Sequence, residues 1–218
     1  MTDRQTPWER HDWLGSAADF HAMNPAPARA LWWCSVISPA IILGSTQQES
    51  DVDAEVASQL GLDVVRRRSG GGAVFVHPTE SVWIDITIPK DDPLYVDDVS
   101  SSMLWLGDVF AAALKPWTSA QTYRGVFDVG TDGRSVCFAS TSPGEVFVGE
   151  NKLVGISQRR GRDGARLQCV LYRSWQPDLW TPSLTSMEVG ERIASLPVAT
   201  LSADAADIVS AVFSALPA

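Results

Sequence analysis

Sulfur and imidazole are scarce in this chain, with three cysteines and three histidines among 218 residues. Cys34, Cys137 and Cys169 are odd in number, widely spaced and nowhere arranged as CxxC. That excludes a disulfide framework and a cysteine-built zinc site, and it fits free thiols in a reducing compartment. Basic residues are also in deficit: 17 Lys and Arg against 26 Asp and Glu leave a net charge of −9. A general nucleic-acid binder needs a basic face to displace counterions, so that class is set aside. Long apolar runs are missing too, since no window approaches the roughly 20 residues of a membrane span. The opening MTDRQTPWERHDW has no apolar stretch behind a basic start. The expected location is therefore cytoplasmic, with no membrane contact.

What is present is a large apolar fraction, 45% of residues with nine tryptophans among them, enough to bury one sizeable core. Polarity marks residues 1–12 as a tail and 13–218 as a single domain. Leu31 to Ile37 and Ala40 to Leu43 read as short strands. Ser50 caps an amphipathic helix over 51–60 that Gly61 closes, and Leu62 to Arg66 extends beyond it. Val82, Ile84, Ile86 and Ile88 alternate with Trp83, Asp85 and Thr87, the pattern of a strand with one buried face. Val99, Met103, Leu106, Phe110 and Leu114 recur at helical spacing. Strands follow at Ser135 to Ala139, Glu145 to Val148, Lys152 to Gln158 and Arg166 to Tyr172, and a last helix carries Ile208, Val209, Val212, Phe213 and Leu216. Strands with irregularly interspersed helices predict an α+β fold around a mixed, mostly antiparallel central sheet.

Two segments carry chemistry. Arg66-Arg67-Arg68 runs directly into Ser69-Gly70-Gly71-Gly72-Ala73-Val74. Successive glycines let backbone N–H groups approach a ligand closely, and arginine adds a fork of donors suited to phosphate or carboxylate. Against the acidic whole, residues 66–68 and 159–166 form a local basic patch, the part of the surface suited to an acidic protein partner. In the second segment Lys152 opens the apolar strand Lys152-Leu153-Val154-Gly155-Ile156-Ser157. An ammonium there can stabilise charge that develops during acyl or nucleotidyl transfer. As a strand-edge lysine it should contribute little to packing. Trp83 reads either as core or as the wall of an acyl-chain tunnel.

Taken together, Arg67-Arg68-Ser69-Gly70-Gly71-Gly72-Ala73-Val74, Lys152-Leu153-Val154-Gly155 and the upstream Ile42-Leu43-Gly44-Ser45-Thr46-Gln47 resemble the lipoate-protein ligase A and biotin-protein ligase catalytic-domain family. The resemblance covers residues 31–172. It implies the α+β fold shared with class II aminoacyl-tRNA synthetases and biotin synthetase. It also implies an enzyme that activates lipoate or octanoate with ATP and Mg²⁺ and passes the acyl group to a lysine of a lipoyl-domain carrier. Carried over by position, Lys152 would be the essential cation. Arg67, Ser69, Gly70, Gly71, Gly72, Ala73 and Val74 would clamp the acyl-adenylate, and Gly155, Ile156 and Ser157 would line the site. Biotin is disfavoured, because the Gly-Arg-Gly-Arg pattern of biotin ligases is missing. No residue is assigned as a metal ligand of the protein itself.

The sequence departs from the family in two places. The Asn-Asp pair that precedes the lysine strand in ligases is reduced to Asp128, and the family's His-Gly step is Gln168-Cys169 here. The accessory C-terminal domain of the longer ligases has no counterpart, so an accessory subunit is a second expected partner. Val136-Cys137-Phe138-Ala139 resembles the Cys-Phe segment of cysteine-dependent octanoyl transferases of the same superfamily, which would make Cys137 a thioester-forming nucleophile. A buried strand cysteine is the plainer alternative. Three readings stand open: ATP-dependent ligase, ATP-independent transferase through Cys137, and a non-catalytic acyl or acyl-adenylate binder or half of a split ligase.

Overall fold

The structure, a computed structural model, describes residues 7–218. Its elements are β1 (Glu9–Gly15), α1 (Ala17–Ala22), β2 (Ala30–Val36), β3 (Ala40–Leu43), α2 (Ala54–Gln59), β4 (Asp63–Arg66), β5 (Val74–Val76), β6 (Ser81–Pro89), α3 (Leu104–Ala113), β7 (Gln121–Thr122), β8 (Val146–Val148), β9 (Asn151–Arg160), β10 (Gly164–Tyr172), α4 (Met187–Ala194) and α5 (Ala205–Ala215). Seven strands form one sheet in the order β1-β2-β6-β10-β9-β8-β7, and β4-β3-β5 form a second. Only β1–β2 and β3–β4 pair in parallel; every other ladder is antiparallel. The fold is α+β with a mostly antiparallel main sheet.

The main sheet is covered on both sides. Val82, Ile84, Ile86 and Ile88 of β6 turn to one face and pack with Leu106 and Phe110 of α3 and Ile208, Val209 and Val212 of α5. Trp83 and, on β10, Val170 and Tyr172 turn to the other, where they meet Ile41 and Phe75 of the small sheet and Phe20 of α1. The period-two pattern of β6 therefore marks two different buried faces rather than one buried and one wet, since Asp85 and Thr87 are buried as well. Asp85 is tolerated there because Trp83 Nε1, Arg166 Nε and Gln168 Nε2 all donate to its carboxylate.

Several sequence expectations shift. Residues 9–12, read from their polarity as part of a tail, begin β1; an edge strand leaves half its side chains in water, so polar residues suit it. Residues 1–6 of that tail lie outside the described residues. The helix expected over 51–60 divides into a 3-10 turn at Glu49–Asp51 and α2, whose cap is Asp53: its carboxylate accepts from the Glu55 and Val56 amides. The strand expected at Ser135 to Ala139 is a 3-10 turn, Cys137–Ala139. Its entry is pinned to the glycine loop, with Cys137 N–H donating to the Ala73 carbonyl at 2.9 Å and Ala73 N–H to that of Ser135 at 2.8 Å.

Candidate active site

Between the two sheets lies a small cleft, with a cavity volume of about 20 Å³. Each wall follows from local structure. Gly155 and Ser157 on β9, and Gln168 and Val170 on β10, are alternate residues that share the face turned away from α3 and α5. Ile42 and Val74 come from the small sheet, Trp83 from β6, His21 from α1, and Cys137 with Phe138 from the 3-10 turn. Arg67 closes one side.

Alternation also separates two residues that the sequence placed together. Ser157 faces the cleft, whereas Ile156 points to the opposite side and is buried in the helix-side core. Ile156 serves through its backbone only, where its N–H donates to Glu145 at 3.4 Å.

Arg67 is a fastener of the loop more than an open clamp. It is buried, with Nη1 donating to the Ile42 carbonyl at 3.1 Å and Nη2 to those of Gly70 and Gly72 at 2.7 and 2.8 Å. Nε is buried without a partner, so the Nε–H and the second Nη1–H are the donors left for a ligand. Gly71 has φ +94°, and the Cβ of an alanine at Gly44 would lie 1.8 Å from the Gly71 carbonyl oxygen. The glycine of the upstream strand-Gly-x-x-Gln element thus exists to let the loop pass, while Gln47 accepts from the Gly44 amide at 2.9 Å and donates to the Ser135 carbonyl at 3.1 Å. Gly70, Gly71, Gly72 and Ala73 do not line the cleft; they fix its rim, and Val74 enters it. Ser69 donates to Gln168 Oε1 at 2.7 Å and lies 3.2 Å from the Ser157 hydroxyl, so loop and sheet are tied by a buried polar chain that ends on Asp85.

Lys152 is not an exposed strand-edge lysine. It is 2% exposed, and Nζ donates to Glu145 at 2.8 Å and to the Cys137 carbonyl at 2.9 Å. A bulge explains its direction. Val146 pairs with Val154 and Phe147 with Lys152, so Leu153 is the extra residue on β9. That inserted residue turns Lys152 from the helix face to the Cys137 side. Nζ also sits 5.5 Å from the Phe138 ring centroid. The expectation that its loss would spare the fold is overturned, because the lysine neutralises a buried carboxylate. Burial pushes the Glu145 carboxyl up, and Lys152 together with the Ser142 and Ile156 amides pulls it back.

Cys137, unlike Lys152, lines the cleft. Its thiol is held above the ordinary thiol range by burial, while the nearby charges of Lys152 and Arg67 favour the thiolate and that of Glu145 opposes it. Cys34 and Cys169 are buried and held still further up by burial and by Asp85, away from the cleft lining.

Asp128 is not brought to the cleft. It is exposed and caps the Gly130 amide at 2.9 Å. The carboxylate associated with the lysine strand is Glu145, placed there by the bulge, which no spacing in the sequence reveals. Gln168 was visible in the sequence as part of the step that replaces the family's His-Gly. His21 left no trace. Its ring is stacked on Trp83 at 4.9 Å, Nε2 is buried without a partner, and burial with the charges of Arg166 and Arg67 lowers its pKa to about 3. It is a neutral hydrogen-bonding group in the cleft.

No residue lining the cleft is a carboxylate, and among the described residues no three His, Cys, Asp or Glu gather into a metal-binding group. Glu145 and Asp85, the nearest buried acids, are already paired with cations. The cleft lining itself therefore offers Mg²⁺ no carboxylate. What the cleft offers is a thiol, three small polar groups, the Arg67 guanidinium and an apolar wall.

Comparison with known proteins bears on this geometry. A family model described as the lipoyl protein ligase A/B catalytic domain matches residues 6–195. The octanoyltransferase LipM of Moorella thermoacetica is 36% identical over 135 residues, 60% of this chain and 48% of that protein. The match thus spans about half the length of that curated relative. Among solved structures, lipoate-protein ligase A bound with ATP superposes with a TM-score of 0.73 at 15% identity, over 96% of this chain and 84% of that one. A structure from a study of a bipartite lipoate protein ligase and its E2 lipoyl domain from Thermoplasma acidophilum gives 0.70 at 14% identity over 96% and 82%. At such identities the two structures show a common fold. Among the described residues no helix is long and apolar enough to cross a membrane.

Proposed function

The chain belongs to the lipoyl protein ligase A/B catalytic-domain family, and from that premise we propose that it is an acyltransferase that moves an octanoyl or lipoyl group through a thioester on Cys137. One observation carries the reading: Cys137 faces the cleft, while Lys152 is sequestered in its ion pair. The likeness to an octanoyltransferase supports it.

The chemistry is balanced without ATP. Cys137 Sγ attacks the carbonyl carbon of a donor thioester, the donor C–S bond breaks, and the thiol proton leaves with the departing thiol. The ε-amine of a lipoyl-domain lysine then attacks the Cys137 thioester. An amide forms, the enzyme C–S bond breaks, and a proton from the amine returns to Sγ. Both steps exchange acyl groups at an already activated carbonyl. Burial holds the Cys137 thiol up, the charges of Lys152 and Arg67 offset part of that, and the fixed Lys152 to Cys137 carbonyl bond sets the turn bearing the nucleophile. Gly155 leaves room beside the Phe138 ring, since a Cβ there would lie 3.0 Å from it.

The test is to incubate the protein with an octanoyl-thioester carrier and an apo lipoyl domain, with and without ATP, and to follow the mass of the domain. Modification independent of ATP, abolished by Cys137→Ser, is expected. Modification that requires ATP and free acid, and survives Cys137→Ser, would establish the ligase reading that the triple-glycine loop and the lysine strand suggest.

A further inference from the structure

The face of the β9–β10 ladder that forms the cleft continues beyond it. Gly155 opposes Val170, and Ser157 opposes Gln168; one rung further on the same face, Arg159 opposes Arg166. Like charges directly opposite each other destabilise a sheet, so this rung opposes folding rather than aiding it. Arg166 is relieved by Asp85, but its Nη2 is buried and unpartnered. Arg159 forms no ion pair among the described residues, and neither does Arg68, the exposed neighbour of Ser69. Partial burial, then Arg68, then Arg166 push the Arg159 pKa down, as mutually facing cations do. Arg159 and Arg166 line a concavity of about 310 Å³ together with the exposed Arg162. Other arginines of the two sequence runs are spent on backbone: Arg66 donates to the Gln47 carbonyl, and Arg160 to those of Val96 and Asp97.

On a chain of net charge −9, a group of arginines next to the cleft is a local exception: Arg166 is paired with Asp85 and Asp163 shares the concavity, but Arg68, Arg159 and Arg162 form no ion pair among the described residues. We propose that Arg68 and Arg159, beside Arg162 and Arg166, form the docking surface for an acidic face of the lipoyl-domain acceptor, bringing its lysine over the cleft. This rests on the acyl-transfer reading. The occupant follows from charge: the rest of the acidic surface repels an acidic domain, and this patch attracts and orients it.

The experiment measures the double variant Arg68→Glu/Arg159→Glu. Transfer to the apo lipoyl domain should lose at least tenfold in kcat/KM through KM, and the loss should shrink as salt rises. Acylation of the protein by the octanoyl thioester of a small neutral thiol should keep its rate. Lysines at both positions should retain most of the transfer, and Arg159→Gln alone should raise KM a few-fold, a second measure if the double variant folds poorly. Direct binding of the apo domain should weaken in parallel, a readout that needs no chemistry. Unchanged KM and unchanged binding at low salt in a folded variant would overturn the docking surface, whereas failure of the unaltered protein to acylate would overturn the transfer reading alone.

Discussion

Replacing Lys152 by alanine should unfold this domain more readily as well as inactivate it. Both side chains of the Lys152–Glu145 pair are 2% exposed, and they meet at 2.8 Å. Without the ammonium, Glu145 keeps only the Ser142 amide at 2.8 Å and the weaker Ile156 amide at 3.4 Å. Removing one partner of such a pair costs about 3–5 kcal/mol, because a buried charge is left uncompensated. For a domain of this size about 1 kcal/mol moves Tm by ~2–4 °C, so a drop of roughly 10 °C is expected. Lys152→Met combined with Glu145→Leu removes both charges and keeps most of the volume, and it should recover all but about 1–2 kcal/mol. Activity should stay lost, because the Cys137 carbonyl has lost its fixed donor and the thiolate its neighbouring cation. Urea unfolding of the single and double variants, read beside acyl transfer, separates the two effects. A single variant within about 1 kcal/mol of the unaltered protein, or a double variant no more stable than the single, would refute a buried pair governed by desolvation.

Acid should expose His21. Its pKa is 6.5 when unfolded and about 3 when folded, so the unfolded chain takes up the proton first and stability falls as pH drops below 6.5 towards 3. Between pH 7 and 5 that is about 2 kcal/mol, and His21→Phe should abolish this share of the loss in denaturant titrations at the two pH values. At the glycine loop, Gly44→Ala should cost at least about 2 kcal/mol through its clash with the Gly71 carbonyl, whereas Gly70→Ala, with nothing within 4 Å, should stay within about 0.5 kcal/mol. Thermal unfolding decides this. Alkylation of Cys137 by iodoacetamide, followed by peptide mass, should be slower at neutral pH than that of a free thiol and should climb into the alkaline range, since burial holds the thiol up. A rate already on its plateau at pH 7 would contradict that.

The main strands, α3 and α5 were legible because apolar period and turn residues act locally. The family motifs were legible because Gly44, the triple glycine and Lys152 each answer a steric or electrostatic demand that few residue types meet. What was hidden is non-local. The second buried face of β6 depends on the small sheet folding over it, and β1 on its parallel pairing with β2, neither encoded within those segments. The bulge at Leu153 reverses Lys152 and brings Glu145 to it, and no pattern of side chains announces an inserted residue. The short turn at Cys137–Ala139 arises from bonds to Ala73, more than 60 positions away in the chain, and it alone brings the thiol to the cleft. The basic run at 159–166 and the Gln168 step were visible in the sequence, but only register shows that Gln168 and Arg159 share a face with Gly155.

The central claim is that the acyl group resides on Cys137 between donor and acceptor. The intact mass of the protein after exposure to an octanoyl thioester, with no ATP and no acceptor present, tests it most directly. One acyl group should be found, located on the Cys137 peptide, released by hydroxylamine and discharged when apo lipoyl domain is added. A protein that stays unmodified under these conditions, yet transfers octanoate to the domain once ATP is supplied, would contradict it.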